Sequence, residues 1–220
     1  MTFIEHSIIT ERTARYYTSE SHTEASDIWV VLHGYGQLAR AFIEDFSPVA
    51  NDSRRIVAPE GLSRFYIRAG QGAIGANWMT SEDRLNEIED YISFLDNVTI
   101  EVRQQENQRV FVLGFSQGAA TACRWFTHST LRLDGLAVWG GGIPPDLDFK
   151  ALSTRLQGRS LSVVCGRSDI YMSENRFRAE LQTLEKHDVS HRPVTFDGGH
   201  QIEPDVLNDL LVHHEAKSAS

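Results

Sequence analysis

The strongest constraint on this chain is an apolar segment that runs directly into a glycine–serine motif. Residues 110–113 read Val-Phe-Val-Leu, and residues 114–118 read Gly-Phe-Ser-Gln-Gly. Because glycine has no Cβ, Gly114 and Gly118 allow a strand and a helix to pack closely around a sharp turn. The segment therefore predicts a buried strand, a tight corner at Ser116 and a helix that begins immediately afterwards.

Buried strands and helices alternate along most of the chain. Residues 28–32 are five apolar residues in succession, which is typical of a central strand covered on both faces. Similar patterns predict strands at 56–59, 110–113, 136–139, 161–165 and 193–196, and helices at 41–49, about 80–105, about 117–129, 174–186 and from 204 onward, with a short helix after 148. This alternation predicts a mostly parallel, doubly wound α/β sheet with helices on both faces.

Two segments differ from this alternation. Residues 3–9 and 12–18 alternate apolar and polar side chains, which predicts an N-terminal antiparallel hairpin at the edge of the sheet. Residues 62–80 are rich in glycine and predict a long irregular loop. Since neither an internal repeat nor a linker interrupts the sequence, we expect one domain over residues 1–220 with no large lid domain.

The composition limits the partners and the compartment. The net charge is −9, with 30 acidic and 21 basic residues and no cluster of Lys or Arg, which argues against nucleic-acid or anionic membrane surfaces as partners. Cys123 and Cys165 both fall in predicted core elements, so we expect free thiols in a reducing compartment. Neither a secretory signal nor a segment able to span a bilayer is predicted. We therefore expect a cytoplasmic protein without stable membrane insertion.

Three polar residues follow three different predicted strands. Ser116 follows the strand at 110–113, Asp169 follows the strand at 161–165, and His200 follows the strand at 193–196. In parallel sheets, ligand sites gather at the carboxyl ends of the strands, so these side chains are expected on one rim. A G-x-S-x-G motif between a strand and a helix, followed along the chain by Asp and then His, is typical of the nucleophile elbow and catalytic triad of α/β-hydrolases.

The chemistry of acyl transfer assigns a role to each of these residues. A serine hydroxyl needs a neighbouring base, so His200 is expected to take the proton of Ser116, with Asp169 orienting the imidazole. The oxyanion of the tetrahedral intermediate needs backbone N–H donors. We expect these from Gln117, at the start of the helix, and from Tyr35, which lies between two glycines after an earlier strand.

Some of these roles have rivals in the sequence. Asp146 and Asp148 follow another strand and compete with Asp169 as the acid, although strand order and spacing favour Asp169. His33 also follows a strand, but it precedes the serine along the chain and is expected to shape its loop. Four other histidines lie in or beside predicted helices, where a solvated surface position is the default: His187, His191, His213 and His214.

Together these motifs resemble a known family. The sequence Leu-His-Gly-Tyr-Gly at 32–36, the elbow at 114–118, the loop of Asp169 and the pair Gly199-His200 are similar to the phospholipase/carboxylesterase group of the α/β-hydrolase superfamily, which includes the acyl-protein thioesterases. The similarity extends over nearly the whole chain from residue 28. It implies an α/β-hydrolase fold, a triad of the serine, aspartate and histidine named above, and an oxyanion hole formed by the Tyr35 and Gln117 amides.

The chain departs from the thioesterase pattern in three places. Ala119 follows the elbow where thioesterases have a second glycine, and residues 67–77 lack their proline-containing acyl-channel loop. Residues 169–172 read Asp-Ile-Tyr-Met instead of Asp-x-Val-Val-Pro. These differences favour short-chain esters over long lipid chains.

Four apolar residues in the predicted loops are candidates for lining the acyl pocket. A tryptophan before the long helix is also a feature of the family that this chain resembles. Apolar loop residues are equally often packed in the core, so both interpretations stand at this stage. The four candidates are Trp78, Ile143, Tyr171 and Met172.

The sequence thus predicts a serine esterase that acts on small carboxylic esters through an acyl-enzyme and needs neither metal nor cofactor. A lysophospholipase or acyl thioesterase with a long apolar channel is one alternative. A non-catalytic ligand receptor on a hydrolase fold is the other, although a pure binder has no need of a base and an orienting acid together. The expected partner is a small-molecule ester, and the protein is expected to be a monomer or a homodimer.

Overall fold

A seven-stranded sheet forms the centre of the fold. The computed structural model describes residues 2–20, 25–68 and 72–218. The strands in this part of the chain are β1 (Tyr16–Thr18), β2 (Asp27–Leu32), β3 (Arg54–Pro59), β4 (Ser63–Tyr66), β5 (Ile74–Asn77), β6 (Arg109–Phe115), β7 (Gly135–Trp139), β8 (Ser160–Gly166) and β9 (Arg192–Phe196). The central sheet has the order β1-β3-β2-β6-β7-β8-β9, with β1 antiparallel to β3 and parallel pairing from β3 to β9.

Helices connect the parallel strands, as the alternating pattern predicts. Their bounds are α1 (Ala39–Phe42), continued by a 3₁₀ helix (Ile43–Val49), then α2 (Arg84–Val102), α3 (Gln117–His128), α4 (Phe149–Arg155), α5 (Glu174–Lys186) and α6 (Pro204–Lys217). The helix predicted from residue 80 begins four residues later, because Asp83 adopts a left-handed conformation with φ of 48°. The other long helices lie where the sequence predicts them.

The sheet separates two hydrophobic cores. Side chains alternate along β2, so that Ile28, Val30 and Leu32 pack in the core under α2 to α5. Trp29 and Val31 point to the opposite core, under α1, the 3₁₀ helix and α6. All the side chains of β2 are therefore buried, as predicted for a central strand. The mostly parallel, doubly wound sheet with helices on both faces is confirmed, and the described residues include no large additional domain.

The N-terminal hairpin differs from the prediction. Residues 16–18 form an antiparallel edge strand, but its partner is β3, with Tyr16 opposite Pro59. Residues 3–9 form no strand, and Phe3 and Ile9 are almost fully exposed. Alternation stabilises a strand only where one face meets a core, and β3 offers the sheet edge and the core that residues 3–9 lack.

The glycine-rich segment 62–80 is more regular than predicted, although residues 69–71 lie outside the described part. Strands β4 and β5 pair as a two-stranded antiparallel hairpin. A Cβ at Gly75 would lie 2.5 Å from the carbonyl oxygen of Gly36, so the glycine permits backbone contact between the hairpin and the loop after β2. Two hydrogen bonds fix this contact, from Gly36 N to Ala76 O (2.9 Å) and from Ala76 N to Gln37 O (3.2 Å).

Two further features concern the cysteines and the helices. Cys123 and Cys165 are both buried and free, as predicted. None of the helices within the described ranges is long and apolar enough to cross a lipid bilayer.

The C-terminal helix α6 carries a buried histidine that generates a pH-dependence of stability. His214 Nε2 lies 3.0 Å from Ser162 Oγ, and burial lowers the pKa of His214 from 6.5 to about 3. The unfolded chain therefore binds one more proton than the folded protein between about pH 3 and 6.5. We expect this group to make the free energy of unfolding fall with decreasing pH, by up to about 1.4 kcal/mol per pH unit.

Urea denaturation between pH 4 and 7 measures this slope. In the variant His214→Gln the contribution should disappear, so the variant's stability should depend less steeply on pH than that of the wild type. The matched control is His128→Gln, which changes an exposed histidine at the end of α3. Equal slopes for the wild type and His214→Gln would contradict the prediction.

Candidate active site

The corner between β6 and α3 has the strained conformation that the sequence predicts. Ser116 has φ of 56° and ψ of −116°, which a residue with a side chain rarely adopts. The two glycines allow the close packing around it. A Cβ at Gly114 would lie 2.1 Å from the Gly118 carbonyl oxygen, and a Cβ at Gly118 would lie 2.2 Å from the Leu32 carbonyl oxygen. Strand β6, helix α3 and the end of β2 therefore meet with no space for side chains between them.

The loops after β8 and β9 bring Asp169 and His200 together. His200 Nδ1 lies 2.7 Å from Asp169 Oδ2. The other carboxylate oxygen, Oδ1, accepts the backbone N–H groups of Tyr171 (2.8 Å) and Met172 (2.9 Å). Since Asp169 is nearly fully buried and accepts at both oxygens, it holds one imidazole orientation, with the proton on Nδ1 and the Nε2 lone pair free.

Hydrogen bonds and close packing join the loops after β8 and β9 to each other and to β7. Ser168 N donates to Gly198 O at 2.9 Å, and the Trp139 indole donates to Gln201 O at 2.9 Å. A Cβ at Gly166 would lie 2.4 Å from the Gly199 carbonyl oxygen, so the strand end and the histidine loop are in direct contact.

The loop after β7 lies between the serine and the acid–base pair. A Cβ at Gly140 would lie 3.2 Å from the His200 ring and 3.3 Å from Asp169 Oδ2, while a Cβ at Gly141 would lie 2.1 Å from the Ser116 carbonyl oxygen. Phe115 stands beside His200, with 4.7 Å between ring centroids. The structure therefore places the serine, the histidine and the aspartate on one rim of the sheet.

The Tyr35 and Gln117 amides are among the backbone N–H groups near Ser116 that have no acceptor among the described residues. In the loop after β2, the amides of Gly34, Gly36 and Gln37 all donate hydrogen bonds, which leaves the Tyr35 N–H. The Gln117 N–H is at the first position of α3, where a helix provides no acceptor. These are the two amides that the sequence analysis singles out.

Buried His33 shapes the loop that carries Tyr35, as predicted. Gly61 N donates to His33 Nε2 (2.9 Å), so the proton is on Nδ1, which donates to Gly34 O (2.8 Å). Burial lowers the pKa of His33, which favours this neutral form. His33 therefore joins the loop to the chain after β3.

Trp78 supports the same loop from behind. Its indole donates to His33 O at 2.8 Å, and the two rings stack with 4.9 Å between centroids. Trp78 is buried in the core and is not among the residues that line the cavity beside Ser116, unlike the other three pocket candidates. A buried indole N–H needs a hydrogen-bond acceptor, and the His33 carbonyl oxygen provides one, which explains the position of Trp78.

The Gln117 side chain fastens the start of α3 to the segment after β5. Its Nε2 donates to Asn77 Oδ1 (2.5 Å) and to Met79 O (3.1 Å), and its Oε1 accepts from Trp78 N (3.3 Å). This glutamine therefore has a positioning role that the sequence analysis did not identify.

A cavity of about 410 Å³ opens beside Ser116. Three of the four pocket candidates, Ile143, Tyr171 and Met172, line it. Arg124 and Arg176 also line it, and sequence reasoning missed both, because an arginine in a helix is by default solvated surface. Arg124 is in fact largely buried.

The rival acids and bases have other partners. Asp146 pairs with Arg84 and Arg124, and these hydrogen bonds lower its pKa to about 2 against the opposing effect of burial. Asp148 caps α4 by accepting from Ala151 N at 2.9 Å. The four other histidines lie away from Ser116: His187 stacks on Phe149, His191 contacts Val189 O, and His213 and His214 are in α6.

The described residues contain no group of three or more His, Cys, Asp or Glu side chains arranged to hold a metal ion. The rim brings together a hydroxyl, an imidazole and a carboxylate, from Ser116, His200 and Asp169.

Comparisons with known proteins place the chain in context. The family model for phospholipase/carboxylesterase matches residues 15–217. No curated protein matches the sequence. Similar solved structures include acyl-protein thioesterase 2 of Zea mays, with 17% identity, a TM-score of 0.72 and coverage of 94% of this chain and 100% of that chain. Another is the Bacillus cereus carboxylesterase, with 17% identity, a TM-score of 0.68 and coverage of 93% and 94%. At these identities the likeness shows the fold.

The packing around the elbow gives a prediction for Gly118→Ala. The new Cβ would lie 2.2 Å from the Leu32 carbonyl oxygen and 2.7 Å from the His33 carbonyl oxygen, both of them backbone atoms. We expect the free energy of unfolding to fall by about 1–3 kcal/mol or more, because α3 must move away from β2.

Urea denaturation measures this change. Gly199→Ala is the matched control, because the nearest atom to its new Cβ would lie 3.9 Å away. If Gly118→Ala is as stable as this control, the close contact between α3 and β2 is not a constraint on the fold.

Proposed function

The chain belongs to the phospholipase/carboxylesterase family, and we propose that it is a serine esterase that cleaves small carboxylic esters through an acyl-enzyme on Ser116. One observation carries this proposal: a serine on a strained strand-to-helix corner shares a rim with a histidine whose Nδ1 is bonded to a buried aspartate. A binding protein has no need of this arrangement, whereas acyl transfer needs all three groups.

In the proposed first step, His200 Nε2 takes the hydroxyl proton as Ser116 Oγ attacks the ester carbonyl carbon. The carbonyl oxygen becomes an oxyanion and accepts from the Tyr35 and Gln117 amides. The C–O bond to the alcohol then breaks, and the His200 imidazolium gives its proton to the leaving oxygen. Asp169 stabilises that imidazolium through its 2.7 Å contact with Nδ1.

The second step repeats this chemistry with water. His200 Nε2 takes a proton from water, whose oxygen attacks the acyl carbon bonded to Ser116 Oγ. When the tetrahedral intermediate collapses, the bond to Oγ breaks, the imidazolium returns its proton to Oγ, and the carboxylic acid leaves. The enzyme is restored, so neither a metal nor a cofactor enters the balance.

The cavity supports small acyl groups over long ones. It measures about 410 Å³, and its walls include the polar side chains of Arg124 and Arg176. A long alkyl chain needs a continuous apolar channel, which these two arginines interrupt. The lysophospholipase and acyl-thioesterase alternatives are therefore less well supported than short-chain ester hydrolysis.

We also infer a cytoplasmic location. Two buried free thiols, Cys123 and Cys165, support it, because proteins with unpaired cysteines are typical of reducing compartments.

The triad assignment predicts the effects of two substitutions on ester hydrolysis. Ser116→Ala should lower kcat by at least about 10⁴-fold and abolish covalent labelling by a fluorophosphonate probe. Asp169→Asn should lower kcat by about 10³–10⁴-fold, because an amide at this position holds the wrong tautomer of His200. A panel of activated esters, from acetate to dodecanoate, measures both effects and the preferred chain length.

Asp148→Asn is the control for Asp169→Asn, since Asp148 caps α4 and has no contact with His200. Its activity should equal that of the wild type. Ester turnover or probe labelling that persists in Ser116→Ala would refute the proposed nucleophile. A folded wild type that releases no product from any ester of the panel would instead favour the ligand-receptor alternative.

A further inference from the structure

Two arginines line the cavity that opens beside Ser116, and the first lies on the helix that follows the serine. Ala120 and Arg124 succeed Ser116 at intervals of four residues, so they lie along one face of α3, and all three line the cavity. From Ser116 to Arg124 the helix rises about 12 Å, and helical side chains lean back toward the N-terminus. The guanidinium group of Arg124 therefore stands a few ångströms closer to the serine than its Cα does.

Arg124 is a buried cation that its neighbours hold in place. Its side chain is 9% exposed, its Nη2 donates to Asp146 Oδ1 (2.9 Å), and its Nη1 contacts Met79 Sδ (3.5 Å). Its side chain also interacts with that of Tyr91. These contacts fix the position of the guanidinium group, so Arg124 presents a preorganised cation at the cavity wall.

Arg176, in the first turn of α5, is the second cation at the cavity wall. Its Nη1 donates to Tyr171 O at 3.2 Å, and a Cβ at Gly142 would lie 2.9 Å from its Nη2. The guanidinium group therefore rests against the loop that forms one wall of the cavity. The Glu180 carboxylate is 3.9 Å from Arg176 Nε, which is beyond hydrogen-bonding distance.

The charges around this cavity are more positive than those of the chain as a whole. Asp146 is shared between Arg84 and Arg124, and the Oε2 atom of Glu180 accepts from Ile143 N at 3.0 Å. Among the described residues that line this cavity, the charged side chains are Arg124 and Arg176, in a protein whose net charge is −9. An excess of arginine beside a candidate nucleophile attracts an anionic group on the substrate.

We propose that this cavity binds the free carboxylate of a short dicarboxylic acyl group, with Arg124 and Arg176 as the residues that select it. This inference rests on the proposed esterase function and specifies its substrate class, the half-esters of short dicarboxylic acids. The acyl carbon binds to Ser116 Oγ, the chain of the acid lies along Ala120, and the far carboxylate accepts from the guanidinium groups.

The acyl side is favoured over the alcohol side because the cavity follows α3 away from the serine. The acyl group stays attached to Ser116 after the first step, so it needs a site that holds it, whereas the alcohol must leave. The distance from Ser116 to the Arg124 guanidinium, about 6–8 Å after the backward lean of the side chain, suits an acid of about four or five carbons.

A pair of isosteric esters tests this proposal. Monoethyl succinate carries the carboxylate, and ethyl 4-methylpentanoate replaces it by an uncharged isopropyl group of the same shape. We expect the wild type to have the higher kcat/KM for monoethyl succinate. Arg176→Gln should lower that value by about 10- to 100-fold, a larger loss than for the neutral ester, because one charge-assisted contact is lost.

Arg178→Gln is the matched control. Arg178 lies on the same helix, is exposed and pairs with Glu174, away from the cavity. It should leave both esters unchanged. Arg124→Lys, which keeps a cation beside Asp146, should also lower hydrolysis of the acidic ester selectively. Acid release followed in a pH-stat gives all of these rates.

Three results would overturn the proposal. The first is a wild type that prefers the neutral ester, and the second is an equal loss on both esters in Arg176→Gln. The third is a stronger preference for a carboxylate on the alcohol side, tested with O-acetylglycolate against ethyl acetate.

Binding of the two intact esters to Ser116→Ala, measured by calorimetry, separates this proposal from the proposed function. Tighter binding of monoethyl succinate, weakened by adding Arg176→Gln, supports the anion site even if the wild type hydrolyses no ester. Equal binding of both esters to Ser116→Ala, with normal hydrolysis by the wild type, would refute the anion site and leave the esterase function standing.

Discussion

The rest of the site depends on one close contact, between Gly118 of α3 and the carbonyl oxygen of Leu32 at the end of β2. Because a Cβ at Gly118 would lie 2.2 Å from that oxygen, the start of the helix rests directly on the neighbouring strand. This contact places the Gln117 amide, at the first position of the helix, next to the loop that carries the Tyr35 amide. Ser116, at the corner before this contact, has a strained backbone conformation with φ of 56°.

A second layer of buried polar groups holds the loop after β2 against this corner. The neutral imidazole of His33 spans from Gly34 O to Gly61 N, and the Trp78 indole donates to His33 O. Each of these groups is buried, so each must find a partner, and together they permit one loop conformation. The side chain of Gln117 continues the network to the segment after β5. The Tyr35 amide thus lies in a loop whose neighbouring amides, those of Gly34, Gly36 and Gln37, all donate hydrogen bonds.

The sequence predicts the strands and the rim residues well, because both depend on local patterns. Five apolar residues at 28–32 are typical of a covered strand, and Ser116, Asp169 and His200 each follow a strand end that the pattern locates. The failures depend on contacts between distant segments. Residues 3–9 alternate apolar and polar side chains but form no strand, because residues 16–18 pair with the edge of β3 instead. The sequence around Gly75 predicts a loop because the contact between Gly75 and Gly36 cannot be read from it, and the hydrogen bond from the Trp78 indole to His33 O cannot be read from it either.

The two arginines of the cavity could not be predicted from the sequence for the same reason. No motif distinguishes Arg124 from a surface arginine, because its burial follows from the packing of α3 between β6, α2 and α4. That packing also fixes the separation of Arg124 from Ser116 along α3. If the helix sets the distance from nucleophile to cation, the length of the preferred acyl group is a property of the core and not of the loops. Loop changes would then alter access to the site, while the preferred length would change only with residues along one face of α3.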